Sequence, residues 1–213
     1  GLGQTGIAGF DAATDVATLA RAAVDCVVGC SDDIGLSLAD SAALKKTMKT
    51  VVRDVTVAAV SALATAQSNA GPGVSIPLAS SVDAIVAGAL HGLNGLSSTF
   101  RGALSLEDVV KEVPKGAAEG SANVSVGDST LQTSLETEIE NALNQAAGEL
   151  TEIEAEINIA RSQIAALIQE GREAAAGSDS PPVADAGLNH LTTQGATVTL
   201  DGSASSDPDG DPL

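Results

Sequence analysis

Residues 139–167 read IENALNQAAGELTEIEAEINIARSQIAAL. Apolar side chains fall at Ile139, Leu143, Ala146, Leu150, Ile153, Ile157, Ala160, Ile164 and Leu167, in steps that alternate four and three. Kept up over about four heptads, this spacing predicts one long helix with a coiled-coil or bundle seam. Asp128 offers a partial start signal, and Gly171 and Gly177 mark the exit. The flanking positions carry Glu140, Glu149, Glu154, Glu156 and Glu170, opposed only by Arg161. A parallel, in-register homodimer would set Glu against Glu, so the seam calls for a basic neighbour. Four of the ten basic residues are Lys45, Lys46, Lys49 and Arg53. Lys45, Lys49 and Arg53 recur every fourth residue and share one helix face. Their helix is therefore predicted to lie antiparallel to the seam, within the chain or across a subunit boundary.

Further helices are predicted outward from these two. Phe10, Ala13, Ala17, Ala20, Val24 and Val27 mark an amphipathic helix over 10–28. The basic helix runs from about Leu38 to Ser68, with Leu44, Met48, Val51, Val55, Ala58 and Ala62 on its apolar stripe. Asn69-Ala70-Gly71-Pro72-Gly73 is a turn signal. Ser80 or Ser81 can cap a third helix that turns Val82, Ile85, Val86, Ala89, Leu90 and Leu93 inward. A short helix is predicted over Leu106–Val113, capped by Ser105 and stopped by Pro114. Lys115–Gly127, rich in Gly, Ser and Ala, reads as a loop.

From Val55 to Phe100 the only charge is Asp83, and Ala84, Gly88 and Gly92 are spaced for close helix approach. Two readings stand for this stretch. It is a buried hairpin of the bundle, or a subunit interface formed by Val82, Ile85, Val86, Ala89 and Leu93 with Lys45, Lys49, Arg53, Leu150, Ile153 and Ile157. Membrane insertion is a third, disfavoured by the absence of an uninterrupted apolar run of spanning length.

The composition constrains function. The 213 residues carry a formal charge of −18, with no Trp or Tyr and two Phe. That field repels nucleic acid and anionic lipid, and the chain has almost no rings on which to stack bases or sugars. Hydrophobic residues make up 44% of the chain, enough for an aliphatic core. Cys26 and Cys30 are open to three readings: a local disulfide, two reduced thiols, or a bridge to another chain.

After Gly177 the composition changes. Ser178-Asp179-Ser180-Pro181-Pro182 reads as a linker, and Ala196-Thr197-Val198-Thr199-Leu200 alternates like a strand. The runs PPVADAG at 181–187 and GATVTLDGSASSDPDGDPL at 195–213 resemble the start of a PKD (polycystic kidney disease) repeat. Leu188-Asn189-His190-Leu191 departs from the usual connection between the first two strands of that family. The resemblance implies the first strands of an immunoglobulin-like β-sandwich, an extracellular setting and tandem repeats continuing past Leu213. The domain reading is thus a helical assembly domain over 1–176, a linker over 177–182 and an incomplete PKD-like domain over 183–213. Asp207, Asp209 and Asp211 have the spacing of the first three ligands of a calcium loop, without the bidentate acid such a loop requires. A plain Asp/Gly/Pro turn is the competing reading.

Catalytic signals are absent from the sequence. The histidines are His91, in an apolar helix, and His190, in the linker region. No H-E-x-x-H, G-x-S-x-G or P-loop pattern occurs. Asn123-Val124-Ser125 matches an N-glycosylation sequon. The expectation is a mainly α, non-enzymatic protein without a cofactor, secreted or held at the cell surface. It forms a homo-oligomer or polymer (a filament, sheath or surface layer) or acts as an adhesin toward a surface polymer or another cell-surface protein. The alternatives are a binding or spacer module of a large secreted enzyme and a membrane-active helical protein.

Overall fold

The structure is a computed structural model that describes residues 40–68 and 77–177, together with Thr18, Ala22 and Ser205. Apart from those three residues, the predicted helix over 10–28 and the PKD-like segment lie outside the described residues, as do Cys26, Cys30, Asp207, Asp209 and Asp211. The chain divides into two compact units, Gly1–Ala175 and Ala176–Leu213.

The described part is a multi-helix bundle: α1 (Ser41–Ser68), α2 (Leu78–Asn94), α3 (Ser98–Ala103), α4 (Leu106–Val124), α5 (Ser129–Glu149), α6 (Glu154–Ser162) and α7 (Ile164–Gly177). Helix starts use side-chain oxygens to satisfy the first amides. Asp40 Oδ1 accepts from Ala43 N at 3.0 Å before α1. Asp128 Oδ1 accepts from Thr130 N at 3.1 Å and Leu131 N at 2.9 Å before α5, so this Asp is a full cap. Gly127, at φ 78°, makes the left-handed turn into it. Ser80 and Ser81 do not cap α2. They sit within its first turn, and Ser80 donates to Pro77 O instead.

The single long seam helix does not form. Its residues are divided among α5, α6 and α7 by breaks at 150–153 and 163. The burial pattern nevertheless holds: Ile139, Leu143, Leu150, Ile153, Ile157 and Ala160 are all buried, and only Ile164 is partly exposed. The break is stabilised from elsewhere in the chain. Glu152 N donates to Asn94 Oδ1 at 3.1 Å, and Arg101 pairs with the Glu152 carboxylate while donating to Leu96 O at 2.6 Å. A backbone amide freed by the bend is thereby satisfied, and α6 is set against α4 as well as α5.

Pro114 does not end its helix either. α4 continues through it to Val124, so the stretch read as a loop from Lys115 is largely helical. The reason lies in packing. Gly116 and Gly120 face α1, where an added Cβ would stand 2.7 Å from Arg53 O and 2.8 Å from Val60 Cβ. Gly171 brings α7 equally close, with 2.5 Å from such a Cβ to Lys115 O. α4 is therefore gripped on two sides at near-backbone contact, and 11 of its residues are buried. That contact outweighs the proline's missing hydrogen bond.

α1 and α4 form the largest helix pair. The buried stripe of α1 is Leu44, Met48, Val52, Thr56, Val60 and Leu63, which corrects the predicted one beyond Met48. Val51 and Val55 are partly exposed and Ala58 and Ala62 lie outside. Thr56 is tolerated in the interface because its hydroxyl donates to Val52 O at 2.5 Å.

Gly116→Ala and Gly171→Ala are each expected to destabilise the protein by about 1–3 kcal/mol, because the neighbouring backbone must move. Gly148, in α5, has nothing within 4 Å of an added Cβ. Gly148→Ala is expected to stabilise by about 0.5–1 kcal/mol through helix propensity alone. Urea denaturation of the three variants checks both signs.

Candidate functional site: the basic face of α1

The basic face finds its acids on α4, not on the seam. Lys45 pairs with Asp108, Lys49 Nζ lies 3.4 Å from Glu112 Oε1, and Arg53 Nε donates to Glu119 Oε2 at 2.8 Å. Residue numbers rise together along the contact, so the two helices run parallel. Of the acids flanking the predicted seam, Glu170 is paired, with Lys115 Nζ at 2.6 Å. Asp108 and Glu112 lie on the short helix predicted over Leu106–Val113 but were not singled out there, and Glu119 lies in the stretch read as a loop, where Pro114 and two glycines disguise the helix.

Glu112 is only 5% exposed, and its carboxylate lies between Lys49 and Lys115, at 3.4 and 3.6 Å. A buried carboxylate needs such cations nearby to remain charged. Glu136, 8% exposed, accepts from Arg172 Nε at 2.6 Å and from Gln132 Nε2 at 3.1 Å. That pairing raises the Arg172 pKa further. Seven of the nine described cations, all but Lys46 and Arg161, pair with a carboxylate. Arg161 instead donates to the side-chain oxygens of Asn144 and Asn158.

Above the α1–α4 pairs lies an open groove of about 460 Å³, lined by Lys45, Lys46, Lys49, Thr50, Arg53 and Glu112, with Ala42 at its end. Lys46 is exposed and has no acidic partner among the described residues. The Thr50 hydroxyl donates to Lys46 O and has no base beside it. The groove can hold an anion; it does not assemble a nucleophile with a base.

The other predicted interface residues are occupied within the chain. Val82, Ile85, Val86, Ala89 and Leu93 are at most 1% exposed, and Leu150, Ile153 and Ile157 join the same core. His91 is partly buried in the last turn of α2. Asn123 of the sequon is exposed near the end of α4, while the Ser125 hydroxyl is buried and donates to Ser121 O at 2.7 Å. No group of three His, Cys, Asp or Glu positioned for a metal occurs among the described residues.

Two carboxylates give opposite pH signatures. The hydrogen bond from Lys45 holds the Asp108 pKa below its ordinary value. Its contribution to stability is complete above the unfolded value of about 3.9 and is lost as pH falls through the lower folded value. Burial, and then the charge of Glu138, raise the Asp83 pKa. Its penalty is absent below about pH 3.9 and develops as pH rises through the higher folded value. Asp83→Asn is expected to raise the melting temperature at neutral pH and Asp108→Asn to lower it. Both differences should vanish in acid, as read by thermal melts across a pH series.

No family model matches the chain, and no curated protein or solved structure matches it. The likeness to PKD repeats therefore rests on the motifs quoted from residues 181–213.

Proposed function

We propose that this chain belongs to a non-enzymatic structural protein of the cell exterior. Its helical domain self-associates into a filament, sheath or surface layer, and its PKD-like segment leads outward. The supporting observation is the use made of the ionisable side chains. Inter-helix pairs such as Arg53–Glu119, Lys115–Glu170 and Arg172–Glu136 engage the cations as ties between helices. The extracellular part of the reading rests on the resemblance at 181–213.

Packing also bears on how such association would work. Among the described residues the one exposed large hydrophobic side chain is Val126, at 81%. Contacts made through the described surface would be polar and would weaken with salt. Within the 55–100 stretch on which the membrane-active alternative rests, the apolar face of α2 is buried in the bundle. Among the described residues no helix is long and apolar enough to cross a membrane.

Static light scattering of the whole chain, with negative-stain microscopy of the same samples, tests the proposal. Oligomers or polymers that grow with concentration are expected. A strict monomer at the highest soluble concentration would sink the self-association.

A further inference from the structure

We propose that the basic groove on α1 docks the acidic corner between α5 and α6 of a second copy of this chain. The inference deepens the proposed self-association and rests on it. In a chain of net charge −18, four of the nine described cations lie within Lys45–Arg53. One acid lines their groove, Glu112, and it is almost fully buried.

The groove cations retain capacity for a second carboxylate. The side chains of Lys45, Lys49 and Arg53 remain 30%, 38% and 36% exposed although each has an acid on α4. An ammonium carries three donors and a guanidinium five. Lys115 of this chain already serves two carboxylates, Glu112 at 3.6 Å and Glu170 at 2.6 Å. Lys46 is exposed and serves none among the described residues.

The complementary surface is the run ELTEIEAE at 149–156, with Glu149, Glu152, Glu154 and Glu156 across the bend that breaks the seam. Glu149, Glu152 and Glu154 are exposed and Glu156 is partly so. Among the described residues only Glu152 of these is in an ion pair, with Arg101. The corner therefore concentrates uncompensated negative charge at a bend that Asn94 and Arg101 hold in place, and the groove is the described surface of opposite sign. Joining a groove on one copy to a corner on the next is a heterologous contact. Repeated without closure, it gives an open polymer rather than a two-fold dimer.

Sedimentation velocity of the whole chain at low and high salt tests the pairing. Three forms are compared: the unaltered protein, Lys46→Glu, and the double variant Glu154→Lys with Glu156→Lys. None of the three positions takes part in an ion pair among the described residues, and circular dichroism confirms that each form is folded. The unaltered protein should associate at low salt and dissociate at high salt. Each variant alone should associate about tenfold more weakly, and the two mixed should recover association, because the unaltered groove of one again meets the unaltered corner of the other and the reversed charges oppose. If the unaltered protein associates but either variant matches it, the groove and corner are not the docking pair and self-association stands. If the unaltered protein is monomeric at every salt concentration, both proposals fall.

Discussion

The bundle depends on how closely α4 is approached by its neighbours. Gly116 and Gly120 remove the side chains that would hold α1 away, and Gly171 does the same for α7. With almost no aromatic residues, the core has few large groups with which to fill wider gaps. Close packing of small residues is the remaining way to reach interior density. Dispersion then acts between backbones as well as side chains. This is why an internal proline and a buried glutamate are both tolerated in one 19-residue helix.

That proximity also organises the charges. Two parallel helices at near-backbone distance bring their flanking side chains within reach. Lys45, Lys49 and Arg53 then meet Asp108, Glu112 and Glu119 across the contact. Glu107 and Asp108 in the first turn of α4 also suit the positive end of its dipole. Exposed pairs of this kind add little stability individually. Their larger effect is on arrangement. A rotation of α1 that turned Lys49 away would leave buried Glu112 with Lys115 alone, and a buried charge that loses a partner is unfavourable.

What the sequence revealed was the side of each helix that is buried, more than the course of its axis. Ile139, Leu143, Leu150, Ile153 and Ile157 were identified as inward-facing, and they are inward. Periodicity does not encode the bend at 150–153, because the group that satisfies it, Asn94, lies 58 residues away. In α1 the apolar scale favoured Val55 over Thr56, since it takes no account of a hydroxyl returned to its own helix. In α4 the local signals of Pro114, Gly116 and Gly120 all suggested a loop. Their actual meaning is a contact with α1, which no local window contains. The basic face of α1 was recognised, but its partner was misplaced for the same reason. Asp108 and Glu112 sit on the part of α4 that local signals predict, and Glu119 on the part past Pro114 that packs against α1.

The separation of α1 from α4 in the chain has a consequence for the order of events during synthesis. Arg53 and Glu119 are 66 residues apart, and α1 reaches the ribosome exit well before its principal partner exists. In that interval Leu44, Met48, Val52 and Val60 line a stripe whose main cover has not been made. Closing so long a loop before its contacts form slows folding, and unpaired apolar surface invites association with other chains. Until α4 is made, Lys45, Lys49 and Arg53 beside that stripe also lack the acids that pair with them in the finished bundle.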